Sequence, residues 1–217
     1  MKFLFSIACM LLSVISFGQL LQDINGRPYL ANSYEAYEGS ALLFKDWTPA
    51  TIITADGKKY DTMLVNIDLH QGNLLFLRGT EVFSFAENIT EIHAIDEQVK
   101  KVFKKGTSID PSMDNGFYQV LNDNPVILKK YSKKVADVPG YGASVKQYKF
   151  VDGKVYYARI DDKVQRISLN KGDAEKVFKK SWKQTEDFAA KNKISYKTEE
   201  GWVTLSQNFS SLTNASH

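Results

Sequence analysis

Lysine is the residue whose spacing in this sequence most suggests a purpose. Lys100-Lys101-x-x-Lys104-Lys105 and Lys129-Lys130-x-x-Lys133-Lys134 repeat one pattern, with Phe103 and Tyr131 inside the two clusters. In an extended strand each cluster sets two lysines on each face, and a central strand does not readily bury them. Two roles fit. On edge strands or strand ends, lysine discourages edge-to-edge aggregation, and this is the favoured expectation. Alternatively the eight form a cationic patch for phosphate or carboxylate groups on anionic lipid, envelope glycan or an acidic partner protein.

Other residue types carry less. His70 shares a strand face with Asp68, and His93 with Glu91, but no HExxH spacing or third ligand accompanies them. They read as exposed strand polar groups, and neither a metal nor a cofactor is expected. The chain has no Gly-x-Ser-x-Gly elbow, phosphate-cradling glycine loop or Ser-x-x-Lys. A triad assembled only in three dimensions stays open. Asp161-Asp162 and Glu199-Glu200 read as turn and surface charge. Asn88-Ile89-Thr90, Asn208-Phe209-Ser210 and Asn214-Ala215-Ser216 match the N-glycosylation acceptor pattern, which is short enough to arise by chance.

The elements that would position these residues are mostly strands, over about 41–169. Met63, Val65, Ile67 and Leu69 alternate with Thr62, Asn66 and Asp68. Residues 80–85, 90–95, 117–121, 126–131 and 164–169 are further strands, rich in β-branched and aromatic side chains. Asp56-Gly57 and Asp152-Gly153 each predict a hairpin turn, pairing 50–54 with 59–69 and 146–151 with 154–160. A third turn falls at His70-Gln71-Gly72-Asn73. Asp-Gly-Lys-x-Tyr thus occurs twice, at 56–60 and 152–156, as repeated turn chemistry rather than a duplicated unit. Two loops, 105–116 and 135–144, interrupt the series.

After Asn170 the period becomes helical, through Ala174, Val177, Phe178, Trp182, Thr185 and Ala189, either continuous past Ser181 or broken there. Trp202, Leu205, Phe209 and Leu212 stripe a last helix, so the helical segment spans about 170–212. The expectation is one mainly β domain over 19–217. It is an antiparallel meander forming a sandwich or partly closed barrel, with C-terminal α-helices packed on it.

The first eighteen residues address the chain. Lys2 precedes an apolar run over 3–15, and Ser16-Phe17-Gly18 is a small-x-small cleavage site, as in a secretory signal peptide over 1–18. That run is shorter than the roughly 20 residues of a spanning helix, so the protein is not expected to be integral to the membrane. Cleavage removes Cys9, the single cysteine, and leaves 27 Lys+Arg against 25 Asp+Glu. The mature chain then has no disulfide and no thiolate site, and lacks the basic excess of a nucleic-acid binder.

The order of features resembles a loose group of exported β-rich proteins common in Bacteroidota, to which no activity is assigned. Gly39-Ser40 with Asp46-Trp47, Asp56-Gly57 leading to Tyr60, and Leu74-Leu75-Phe76 carry the likeness. Gly116-Phe117-Tyr118, residues 126–130, Tyr156-Tyr157 and the closing helical segment complete it. The signal ending Phe17-Gly18-Gln19 is in the same style, and Asp61-Thr62-Met63 resembles that phylum's O-glycosylation triplet. The resemblance implies location and fold style only. Because the C-terminus does not look like a sorting domain, a periplasmic or outer-membrane-associated protein is expected.

Two functions follow as expectations: a non-catalytic envelope protein that is an accessory or binding module for another envelope component, or an unrecognised enzyme such as a hydrolase. The export reading has a direct check. Intact mass of the exported protein should show loss of residues 1–18, and a full-length chain resisting carbonate extraction from membranes would contradict it.

Overall fold

The structure, a computed structural model, describes residues 26–29, 34, 37–138 and 147–214, with all their side chains except those of 180 and 212–214. The signal segment, Cys9, most of the 135–144 loop and the last three residues lie outside the described residues.

Strands outnumber helical residues by more than two to one. In chain order they are β1 (Gly26–Pro28), β2 (Tyr37–Glu38), β3 (Thr48–Thr54), β4 (Lys59–Asp68), β5 (Asn73–Arg78) and β6 (Glu81–Phe85). Then come β7 (Ile89–Asp96), β8 (Val99–Lys105), β9 (Phe117–Asp123), β10 (Val126–Val138), β11 (Gln147–Ile160) and β12 (Lys163–Ile167). One helical turn, α1 (Gly106–Ile109), sits between β8 and β9. Three helices, α2 (Lys171–Phe178), α3 (Trp182–Asn192) and α4 (Glu199–Asn214), close the chain.

All twelve strands belong to one sheet, ordered β1-β6-β5-β4-β3-β7-β8-β9-β10-β11-β12, with β2 beside β11. Every pairing is antiparallel except β2 with β11. From β3 onward the meander is broken once, where β7 pairs with β3 rather than β6; before it, β1 joins β6 and β2 joins β11. Only residues 86–88 link β6 to β7, a reach of about 14 Å. In a flat sheet the two strands would stand four spacings apart, about 19 Å. The sheet therefore curls strongly over β3–β7, although it does not close into a barrel.

Register shows what the curled face carries. Tyr60, Ile52, Ile92, Phe103, Gln119, Lys129, Tyr156 and Ile167 are successive cross-strand partners in one row. Directly opposed residues share a face, so this row crosses the sheet on its concave side. Ile52, Ile92 and Phe103 belong to one core with Val65, Ile67 and Phe76. Tyr156 and Ile167 belong to a second core, with Ile127, Ala158 and the helical Phe178, Trp202 and Leu205. Lys129 stands between the two.

The helices form as the apolar period predicts, with a break. Asn170 caps α2, its side-chain oxygen accepting from the Asp173 N–H at 2.9 Å. A 3₁₀ turn over Lys179–Ser181 then separates α2 from α3. Trp202 is fully buried, and its indole N–H donates to the Tyr196 carbonyl at 2.8 Å. No helix among the described residues is long and apolar enough to cross a membrane.

Three sequence expectations need correction. Asp56-Gly57 does turn the β3–β4 hairpin, with Gly57 at φ +82°. Asp152-Gly153 does not turn: it lies inside β11, opposite Lys133 and Ser132. Gly153 has ordinary strand backbone, and its value lies in close approach, since a Cβ there would stand 2.6 Å from Ser132 Oγ. Residues 135–138, expected in a loop, instead extend β10. Last, the lysine clusters lie on a strand edge only in part: β8 sits between β7 and β9, and Lys129 between β9 and β11, whereas Lys130, Lys133 and Lys134 stand where β10 has no described strand neighbour but β11.

A chain ending at residue 170 would uncover Ile127, Tyr156 and Ile167, which the helices now cover. It is expected to aggregate in light scattering. A monodisperse truncated protein with unchanged urea unfolding would contradict this packing.

Candidate functional site

Beyond Lys129 and up to Val155, β10 and β11 leave their neighbours and pair with each other as a two-stranded arm, joined among the described residues only by β2 at Tyr148 and Lys149. The arm folds against the turn between β4 and β5. Tyr37 stacks on Tyr148 and Phe150, and the Tyr34 ring meets Phe150 and His70 edge-on. Underneath lies Asp68, fully buried. Its carboxylate accepts from the Tyr29 and Tyr34 hydroxyls at 2.6 and 3.0 Å and from the backbone N–H groups of His70 and Gln71, both at 2.8 Å. Burial, with the Asp68 carboxylate beside them, raises the pKa of both tyrosines, so they remain donors. Asp68 is therefore a structural group, not the exposed polar residue expected.

Between the arm and a wall made by the segment before β3 and the β4–β5 turn opens a cleft of about 460 Å³. Leu43 and Leu69 line one side; Lys129, Tyr131 and Lys133 of β10 and Asp152 and Lys154 of β11 line the other. Lys129, only 9% exposed, forms an ion pair with Glu199 at 2.8 Å and lies over the Tyr131 ring at 4.5 Å. Tyr156 donates to the same carboxylate at 2.7 Å, and the Tyr131 hydroxyl donates to Gln119 at 2.8 Å. Lys133 pairs with Asp152 at 2.5 Å. Lys154 is exposed and has no hydrogen-bond or ion-pair partner among the described residues.

Local chain geometry delivers Glu199. It is the first residue of α4, where the helix dipole favours a carboxylate. Thr198 caps that helix, its hydroxyl accepting from the Gly201 N–H at 3.1 Å. A Cβ at Gly201 would fall 1.9 Å from the Ser195 carbonyl oxygen, so this first turn can seat only with glycine there.

Burial works against the charge on Lys129, but Glu199 and Tyr131 outweigh it and hold the ammonium's pKa above its usual range. Burial likewise disfavours the Glu199 carboxylate, and bonds from Lys129 and Tyr156 overcome this and lower its pKa. Burial and then Glu199 raise the Tyr156 phenol. All three move away from neutrality, so none is poised to exchange a proton near pH 7. The arrangement holds charge in place.

The two lysine clusters do not make one patch, because β9 separates them. In the first, Lys101 pairs with Asp96, and Lys104 reaches Glu91 and Asp123 at 3.7 and 3.9 Å. Lys105 donates to the Asn115 carbonyl and lies over the Phe117 ring, and burial lowers its pKa. In the second, Lys130 pairs with Asp114. Lys100 and Lys134 are exposed, without such partners among the described residues. Of the eight, Lys129 and Lys133 reach the cleft. Sequence reasoning missed Lys154, which faces Tyr131 across the arm, and read Glu199 as surface charge. Asp161 and Asp162 do form a turn, at φ +50° and +62°. His93 contacts Glu91, while His70 sits at the β4–β5 turn. Among the described residues no three His, Cys, Asp or Glu side chains gather as metal ligands would.

Set against known proteins, the chain matches no family model, no curated protein and no solved structure.

Glu199→Gln is expected to cost about 2 kcal/mol at neutral pH by urea unfolding, the scale of losing a partly buried charged partner. The carboxylate's folded pKa lies below its ordinary 4.5, so its stabilisation is full above that value and fades as pH falls through the folded one. Lys129 mirrors this, its contribution being full below 10.5 and lost above the raised folded value. The gap between wild type and variant should therefore shrink below pH 4.5; a gap constant with pH would contradict a charged Glu199.

Proposed function

We propose that this is a non-catalytic, exported cell-envelope protein, periplasmic or outer-membrane-associated, that acts as an accessory or binding module for another envelope component. Its cleft receives an anionic group of that component, a carboxylate or phosphate. One observation carries the reading: Lys154, exposed, makes no direct ion pair among the described residues, in a cleft whose other two lysines are each bound to a carboxylate. An unpaired cation beside the apolar Leu43 and Leu69 offers both attraction and contact area. The opposite shifts of Lys129, Glu199 and Tyr156 favour binding over acid–base catalysis. The signal-like N-terminus and the resemblance to exported Bacteroidota proteins supply the location.

The test uses three anionic probes: phosphatidylglycerol vesicles, an alginate oligosaccharide and a glutamate-rich peptide. At least one should bind, and raising salt from about 0.1 M to about 1 M should weaken it roughly tenfold, because screening shortens from about 10 Å to about 3 Å. Lys154→Gln, at an exposed position with no direct hydrogen bond or ion pair and only a through-space effect on Glu199, should weaken binding with little change in unfolding. Failure of all three probes to bind, or binding indifferent to Lys154, would overturn the proposal.

A further inference from the structure

Strand β10 leaves β9 at Lys129 yet runs on to Val138. Along residues 130–138 it pairs with β11 on one side, and no described strand pairs with it on the other. An unpaired strand edge presents N–H and C=O groups ready to accept another strand, and proteins commonly blunt such edges with proline, a bulge, brevity or a covering element. Here the edge is long. It contains no proline, and its register with β11 is unbroken from Ile127 to Val138. Lys133, which could have guarded it, is only 14% exposed and is drawn onto Asp152 across the ribbon. That leaves Lys134 as its one unpaired lysine.

We infer that this edge binds an extended, acidic segment of a partner protein by strand addition, the segment lying beside residues 130–138 and setting alternate side chains towards the cleft. This rests on the proposal that the cleft receives an anionic group, and it names the form in which that group arrives. Charge selects the occupant. Residues 130–138 and 147–154 carry five lysines against two aspartates, so the arm repels a second copy of itself and attracts acidic chain. Register gives the geometry. Tyr131 and Lys133 share the ribbon face of their partners Lys154 and Asp152, and all four line the cleft. A side chain on that face of an added strand would therefore project to the same side of the ribbon as Lys154, two strand spacings or about 10 Å away, across Tyr131. Backbone bonds would supply affinity and the lysines would select acidic sequence.

The probe is a synthetic peptide as long as the open edge, with glutamate and threonine alternating, compared with its lysine–threonine counterpart. Two further versions carry backbone N-methyl groups at alternate residues, in the two possible phases. N-methylation removes ladder donors while keeping the charges. Binding is read on the full protein by fluorescence anisotropy, with amide exchange of 130–138 followed in parallel. The glutamate peptide should bind, and the lysine peptide should not. At least one N-methylated version should bind tenfold or more weakly, and residues 130–138 should gain exchange protection. If both N-methylated versions bind like the parent, strand addition is wrong while anion binding by the cleft stands. If vesicles or alginate bind through Lys154 and the peptide does not, the partner is not a peptide. Concentration-dependent dimerisation that protects 130–138 without peptide would assign the edge to a second copy instead. If no anionic probe binds at all, the proposed function and this inference fall together.

Discussion

A lysine in the middle of an apolar row must find a partner, and the way Lys129 finds one organises much of this molecule. The cost of taking such an ion out of water is several kcal/mol unless it is paired and hydrogen-bonded. Lys129 lies between Gln119 and Tyr156 in a row otherwise mostly apolar, at the boundary of two cores. Its carboxylate comes from the helical layer, at the first residue of α4. The Thr198 cap, the close seat at Gly201 and the buried Trp202 fix where that helix begins. Tyr156 ties the same carboxylate to the neighbouring strand. The ion pair thus couples sheet to helices by charge as well as by apolar contact.

What remains exposed around it follows from the pairing. With Lys129 held by Glu199 and Lys133 by Asp152, the cleft retains one exposed cation without a direct ion pair, Lys154, which acts on Glu199 only through space. The arm bearing it is anchored at its far end by Tyr34 and Tyr37 against Tyr148 and Phe150, above the buried Asp68. Curling of the sheet brings Leu43 and Leu69 opposite the arm, so the cleft owes its apolar wall to one half of the chain and its charge to the other.

Local chemistry made much of the fold readable. Alternation over 59–69, the Asp56-Gly57 turn and the 3.6-residue period after Asn170 each report interactions made within a few residues, and each element stands where expected. Contacts distant in sequence were harder to read. Asp152-Gly153 has the chemistry of a turn, but pairing with Ser132 and Lys133 keeps it in a strand, and its glycine serves the close approach of Ser132. The lysines suggested edges because a strand centre rarely hides them, and this holds for Lys130, Lys133 and Lys134 but not for Lys129 or the lysines of β8. Here carboxylates or carbonyls from other elements accept most of them, including Asp114 for Lys130 and the Asn115 carbonyl for Lys105. Glu199 had no local signal, since its partners lie 70 and 43 residues away. Lys154 showed even less: only the register of β11 against β10 makes it part of a cleft.

Lys129 and Glu199 should stabilise each other across the sheet–helix boundary. A double-mutant cycle with Lys129→Met, Glu199→Gln and the double variant, read by urea unfolding at neutral pH, measures this coupling directly. A coupling energy of at least about 1 kcal/mol is expected, with the double variant more stable than the sum of the single losses implies. Additivity within about 0.3 kcal/mol would contradict it.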